Sequence, residues 1–438
     1  MTSDKRVKTR IRARMAKTGE RYTTARHHYV DAPPGRQRSF GYELRGGLHP
    51  DTAAIANVLA HAGMTGPDGA PLSESLVFGV MGGLGAGYIL WEFAHDDSRI
   101  VTVGFRNRCQ YRDALCAAFD RLRVPYNRHE TGGTKGAARR LEAALDNGRP
   151  VLVWPDRYHV GYWYLPSQLD GHGGHPVVVY AQRDDRVYLD DRTLAPLSVS
   201  SDDLSRARAR VGSYKHGLVE PQPEPGALDR DQLRIAVLEG IDDCVSQMSG
   251  SSSSFSLPAW RKWARLMTDR RHAKGWPSVF SDGVGLVGAL LSVWEGASPA
   301  GMTGGSLRDL YADFLGEAQG LLEADLQRAI DLLRRAAHTW TELGDVALDH
   351  GNPEFATLRE LTITIREAIV AEGDDGRSEA AAAGEELWRR RVALDAACPL
   401  SSDEVEQLFE RMGQTLKRIF ELESAAVYEL GASMRKLH

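Results

Sequence analysis

Between Leu48 and Tyr88 the chain reads LHPDTAAIANVLAHAG, then a polar turn, then LSESLVFGVMGGLGAGY. Apolar Ala54, Ile55, Val58, Leu59 and Ala62 recur at helical spacing, and Asp51 or Thr52 can cap the start. The stretch predicts a loop entering a buried helix, a second helix, and a glycine-dense turn that brings backbone close to a neighbour. Much later comes GGHPVVVYAQRDDRVYLDD, a β-hairpin pattern with His175 at its start and Asp190 and Asp191 at its end. A helix start, then a His, then an Asp on a strand is the order in which one kind of covalent active site sets out a thiol nucleophile, its base and the acid that orients the base. The position that should carry the thiol holds Pro50.

At 438 residues the chain is long enough for two or three domains with their own cores, and 42% hydrophobic with 26% charged residues is ordinary globular composition. A net charge of −5 argues against a chain built mainly to coat nucleic acid. The cysteines Cys109, Cys116, Cys244 and Cys398 are too few and too scattered for a disulfide framework. Cys109 and Cys116 read as small buried hydrophobes in or beside a helix at 110–122. No run approaches the ~20 apolar residues of a membrane span. The basic start has no apolar stretch behind it, so it does not read as a signal peptide. A cytoplasmic protein without a membrane partner is expected.

Residues 1–28 carry nine Lys/Arg against two acids, with Val7, Ile11 and Met15 as a narrow apolar stripe, and predict a basic helical arm over 1–38. Residues 39–219 alternate in pattern. Helices are expected near 51–62, 73–80, 110–122 and 134–147, and strands near 100–104, 151–154, 158–164, 177–181 and 187–189. Strands gathered late behind an early helix predict an α+β fold with one antiparallel sheet. The run Pro221-Gln222-Pro223-Glu224-Pro225-Gly226 marks a linker over 220–226. Beyond it a helical domain is expected over 227–348 and further helices over 349–438. The last of these, from Ser402 to Lys436, repeats Val405, Leu408, Met412, Leu416, Ile419, Leu422, Ala426 and Leu430 in near-heptad spacing. It packs on the helical domain or forms a homodimer seam.

The motifs His49-Pro50-Asp51-Thr52-Ala53-Ala54, Leu72-Ser73-Glu74, Gly82-Gly83-Leu84-Gly85 and Gly174-His175-Pro176-Val177-Val178-Val179 resemble the N-terminal domain of the butirosin biosynthesis protein H family. The resemblance implies a papain-like, cysteine-peptidase-like acyltransferase fold. The later motifs Trp263-Ala264-Arg265-Leu266-Met267-Thr268-Asp269, Lys274-Gly275-Trp276, Leu307-Arg308-Asp309-Leu310-Tyr311 and Phe314-Leu315 resemble the helical domain of unknown function that often follows it. The family usually shows His-Cys where this chain has His49-Pro50. Fold transfers under that change, but a covalent acyl-enzyme does not.

In a papain-like site the helix dipole favours a thiolate, N–H groups at the helix end meet the oxyanion, a His moves the proton and an acid fixes its tautomer. Carried onto this chain, the catalytic candidates are His175, Asp190 and His49. Successive strand residues face opposite sides, so only one of Asp190 and Asp191 can orient His175, and Asp190 is taken. Pro50, Asp51 and Thr52 at the helix start are substrate-binding candidates, and Thr52 is also a weak alternative nucleophile. The glycine run lacks the Gly-Lys-Ser/Thr of a phosphate loop. It reads as close backbone packing beside the pocket, with Gly82, Gly83, Gly85 and Tyr88 admitting an extended acyl or pantetheine arm. Asp170, His172 and His175 lack a second compact ligand group, so neither a metal nor a cofactor is expected. Trp154, Tyr158, Tyr162, Trp163 and Tyr164 read as core packing, or else as a wall for an apolar substrate.

Three functions follow as expectations. The first is an acyltransferase-like protein of specialised-metabolite biosynthesis that joins an acyl carrier protein or other thioester donor to an amine acceptor, with His175 as base. The second is an inactive papain-like binding or scaffold protein. The third is nucleic-acid binding through the basic arm.

Overall fold

The computed structural model describes residues 38–92, 99–107 and 111–437. The basic arm, apart from Arg38, and Cys109 lie outside these residues, and so do the readings placed on them. In chain order the first region contains β1 (Arg38–Ser39), β2 (Tyr42–Glu43), α1 (Pro50–His61), β3 (Met64–Thr65), α2 (Glu74–Val80), β4 (Leu84–Glu92), β5 (Arg99–Arg106), α3 (Tyr111–Arg121), β6 (Tyr126–His129), α4 (Thr134–Asp146), β7 (Val151–Val153), α5 (Arg157–Val160), β8 (Val177–Arg183), β9 (Arg186–Asp190), β10 (Leu197–Ser200), α6 (Ser201–Arg210), β11 (Leu218–Pro221) and β12 (Gly226–Ala227). The helical region that follows contains α7 (Arg230–Met248), α8 (Pro258–Leu266), α9 (Trp276–Val279), α10 (Leu286–Ala297), α11 (Arg308–Leu322), α12 (Gln327–Ala347), α13 (Pro353–Glu372), α14 (Arg377–Ala396) and α15 (Ser402–Leu437).

Pro50 occupies the first turn of α1, where its preset φ suits the helix and its missing N–H would have had no intrahelical partner. Every residue from Pro50 to Leu59 is buried, so α1 is enclosed on all sides rather than amphipathic. Ser73 caps α2 by accepting the Leu76 N–H at 3.0 Å. A six-stranded antiparallel sheet in the order β10-β9-β8-β7-β11-β6 supports α1, which packs on β8. The Val151–Val153 and Val177–Val179 runs are wholly buried, as strands covered on both faces require. The chain is thus α+β, with a helical region after the sheet.

Three expected elements differ. The glycine-dense turn ends at Gly83, and Leu84–Glu92 extends as β4, paired with β5 from Glu92↔Arg99 back to Leu84↔Arg106. Residues 158–164 are not a strand. Asp156 accepts the N–H groups of Tyr158 and His159 at 3.1 Å, caps the short α5, and Gly161 at φ +84° ends it. The expected linker at 220–226 is also partly built in. Glu220 and Pro221 belong to buried β11, and Gly226 and Ala227 pair in parallel with Met64 and Thr65. Pro221 is tolerated there at the strand's end.

The near-heptad residues Leu408, Met412, Leu416, Ile419, Ala426 and Leu430 of α15 are buried within the chain, where α15 runs chiefly along α12, with α8 and α7 alongside. The helical region and the β4–β5 hairpin share one buried ion pair. Arg308 donates Nε to Glu423 Oε1 and Nη2 to Oε2, both at 2.7 Å. Its other N–H groups go to the carbonyls of Ser306 (2.8 Å), Gly85 (3.0 Å) and Phe105 (3.2 Å). The indole N–H groups of Trp260 (2.9 Å) and Trp340 (2.6 Å) complete the carboxylate. All five guanidinium donors are therefore spent. Among the described residues no helix is long and apolar enough to cross a membrane.

Candidate functional site

The start of α1 is held by α2. One oxygen of Glu74 accepts the Leu48 N–H at 2.9 Å, and the other accepts the His49 N–H at 2.7 Å and the Thr52 hydroxyl at 2.8 Å. Burial raises the Glu74 pKa, and these three donors pull it back. Thr52 is fully buried and commits its hydroxyl here, so it is poorly placed to attack a substrate. His49 is buried as well. Its Nε2 lies 3.3 Å from Asp51 Oδ2, and its Nδ1 lies 3.3 Å from Thr52 Oγ1. Burial takes the His49 pKa down to about 4 against the pull of Asp51, so the ring is neutral at pH 7. Arg106 from β5 meets the same Asp51 oxygen through Nε at 3.2 Å, while Asp51 Oδ1 is buried without a hydrogen-bond partner.

A histidine–carboxylate pair lies at the end of β9. His175 Nε2 is 2.8 Å from Asp191 Oδ2, not from Asp190. The alternation argument holds, but its phase is the reverse of the one expected. Asp190 is the last residue of β9, opposite Val178, and turns toward α1 and β2. There it accepts Tyr42 Oη and Asn57 Nδ2, both at 2.9 Å, and the Thr193 N–H at 3.1 Å. Burial lifts its pKa to about 6 against these bonds. Asp190 thus ties α1 to the sheet, and Asp191, one residue past the strand, hydrogen-bonds the histidine.

Asp191 is saturated. Besides His175 it accepts Tyr162 Oη at 2.9 Å, Trp163 Nε1 at 3.1 Å and Arg192 Nε at 3.2 Å. Burial alone would raise its pKa, but His175, Arg192 and these donors hold it below the carboxylate range. His175 moves the opposite way, because burial outweighs the attraction of Asp191 and keeps the imidazole neutral. With Nε2 committed to the carboxylate, Nδ1 carries the lone pair, and it is buried without a hydrogen-bond partner. Tyr162 and Trp163 are buried in the core, one of the two readings given them, and their polar tips also serve Asp191. The turn that ends α5 places them, and a strand reading hid it.

Arg192 joins the two halves of the site. Its Nη1 donates to the carbonyls of Leu48 (3.3 Å) and Met302 (2.7 Å), so it bridges the lead-in to Pro50, the dyad and the loop after α10. Its backbone sits at φ +60°, uncommon for a long side chain. Gly304 in the same loop lies so close to Leu48 that a Cβ there would come within 2.6 Å of its carbonyl oxygen. Glu74 stood in one of the family-like motifs, but nothing in the sequence gave its role at the start of α1, and no sequence signal marked Arg192.

Proline at position 50 removes two things at once. It carries no thiol, and it has no N–H to offer an oxyanion. No described cysteine stands in for it. Burial raises the thiol pKa of Cys116, Cys398 and Cys244, the last to about 11. The expected substrate-binding glycines lie elsewhere. Gly83 (φ +63°) is covered by the Tyr311 ring, 2.2 Å from where a Cβ would stand, and Gly82 and Asn107 are hydrogen-bonded to each other. Gly85 backs onto Arg106 and Arg308, and Tyr88 stacks on Trp263 at 4.6 Å and accepts Trp276 Nε1 at 2.9 Å. These four positions seat the hairpin and α2 on the helical region instead of lining a groove. Among the described residues one group, Asp156, His159 and Asp170, has metal-ligand spacing. Its acids are occupied by backbone N–H groups, His159 and Arg210, so a cation would have to displace a guanidinium.

A buried His–Asp pair facing a helix start, carried by an α+β region and overlaid by a helical one, defines the class. Residues 49–192 match the family model "Butirosin biosynthesis protein H, N-terminal", and residues 202–374 match "Domain of unknown function (DUF4872)". The chain therefore carries the N-terminal domain of the butirosin biosynthesis protein H family followed by this second domain. The family's name ties it to antibiotic biosynthesis. No curated protein matches the chain.

Proposed function

We propose that the protein is a papain-like acyltransferase relative of specialised-metabolite biosynthesis that acts without an acyl-enzyme, on a thioester donor such as an acylated carrier protein and an amine acceptor. The observation that carries this reading is His175, whose Nε2 is fixed by Asp191 while Nδ1 is neutral, basic and unpaired. A thioester is already activated, so an amine held beside it needs a base and an oxyanion site. The amine nitrogen attacks the thioester carbon, Nδ1 takes the ammonium proton, the C–S bond breaks, and the imidazolium returns the proton to the leaving thiolate. With the N–H groups of Leu48 and His49 spent on Glu74 and none at Pro50, the oxyanion falls to Arg192 and to the N–H groups of α1 beyond Pro50.

A second reading, a binding protein with no turnover, is favoured by the loop through Gly304, which presses on Leu48 beside the site. Mass analysis of acylated carrier proteins, an amine pool and the chain separates the two. Amide formed with no mass added to the chain, and lost in His175→Gln, supports the proposal. Acyl mass on the chain excludes the non-covalent route. Carrier capture without amide leaves the binding protein.

A further inference from the structure

A cleft of about 570 Å³ opens between the β4–β5 hairpin, the loop after α5, α10 and α14, in the size range of small-molecule sites. Trp91, Ile100, Leu165, Leu291, Met302 and Trp388 give it apolar walls. Two guanidinium groups, Arg157 and Arg391, and one carboxyl, Glu295, stand among them. Arg391 is 8% exposed, and neither its Nε nor its Nη2 makes a hydrogen bond, although Nε lies 3.3 Å from Asp395. The position is built. A Cβ on Gly288 would stand 2.4 Å from Arg391 Nη2, so glycine in α10 leaves the guanidinium its room, and Trp388 lies alongside with its ring centroid 5.3 Å from Cζ. Arg157 Nε is likewise buried without a hydrogen-bond partner, and its Nη1 meets only the thioether of Met302.

Unspent donors on buried guanidinium groups are costly, and a planar anion that accepts from both relieves them. We infer that the cleft binds a carboxylic acid with an apolar body, its carboxylate received by Arg391 and Arg157 and its chain lying against Trp91, Leu165 and Trp388. The neighbouring acids select against a doubly charged phosphate, which would suffer twice the repulsion of a monoanion. An ammonium would have to sit between two guanidinium groups. The cleft adjoins the dyad through Met302, whose carbonyl accepts Arg192, but binding of a free acid does not depend on the acyl-transfer reading.

The test uses the full chain with 4-phenylbutyrate, 4-phenylbutyramide and 4-phenylbutylamine, followed by calorimetry and by the fluorescence of Trp91 and Trp388. The acid should bind at least about tenfold more tightly than the amide or the amine. Arg391→Gln should reduce it to the level of the amide, with thermal unfolding checking the fold. Because that change disturbs a buried ion pair, Arg157→Gln and Thr102→Trp, the latter on an exposed strand position of the wall, provide second variants and should weaken the acid by a similar factor. Equal affinity for acid and amide, preference for the amine, or no binding at millimolar acid would each overturn the inference. His175→Gln should leave acid binding unchanged, so a failed acyl-transfer assay with intact acid binding removes the proposed function and leaves this site standing.

Discussion

Burial that holds the His49 pKa at about 4 makes stability depend on pH. An unfolded histidine titrates near ~6.5, so below that value the unfolded chain takes up the proton first and acid favours unfolding. The contribution is whole above pH ~6.5 and about 2 kcal/mol smaller at pH 5, at about 1.4 kcal/mol per pKa unit. Asp190 acts in the opposite sense. Raised to about 6, it stabilises fully in acid and loses that contribution as pH rises through its folded value. The two offset each other in the wild type, and His49→Gln separates them. The stability difference between wild type and variant, measured by urea unfolding, should shrink by about 2 kcal/mol between pH 7 and pH 5; a constant difference would mean the ring is not buried neutral. Pro50→Cys should restore both a thiol and an N–H at the start of α1. If the dipole and His175 act on that position, its alkylation rate should titrate below the ~8.5 of an unperturbed thiol, and a value at 8.5 would remove the link between α1 and the dyad. At this scale the sequence made the His–Asp pairing legible but not its phase, because alternation says that two adjacent acids diverge and nothing local says which one faces the sheet end. Asp191 took the histidine because it lies past the last paired residue of β9, a fact of register.

Whole elements were readable where periodicity was long and obscure where a cap decided the outcome. The buried α1 and the Val-rich β7 and β8 declare themselves by composition. The aromatic run from Tyr158 to Tyr164 carries strand-like residues, yet Asp156 and Gly161 fold it into a single helical turn and a bend. The prolines of 221–225 suggested a free connector, but β11 ends at the first of them and β12 begins just after the last. Helix α2 gives a prediction in which packing opposes propensity. Gly79 to Ala in a helix ordinarily gains up to about 1 kcal/mol. Here the new Cβ would stand 2.3 Å from the ring of Phe314 on α11, which is itself fully buried. Overpacking should win, and Gly79→Ala should cost about 1–3 kcal/mol in chemical denaturation. Adding Phe314→Leu should recover part of that loss, and strictly additive effects would show that the two positions do not touch.

Across the whole molecule, one carboxylate near the C-terminal end and one guanidinium in the middle of the chain join four helices to the β4–β5 hairpin. Nothing in the heptad pattern of α15 announced Glu423, since an acid on the apolar seam looks like an interruption until its partner is known. Glu423→Gln keeps the shape and removes the charge, leaving Arg308 buried with no anion. It should cost about 3–5 kcal/mol, read from the unfolding midpoint, and a change under about 1 kcal/mol would mean the pair is not dry. Glu423 also lies beyond residue 374, where the second family match ends. During synthesis Gly85 and Phe105 leave the ribosome hundreds of residues before the group that neutralises their shared arginine. The guanidinium that seats the hairpin therefore stays without its carboxylate until α15 emerges, and a fragment cut at the matched boundaries would keep Arg308 and lose Glu423.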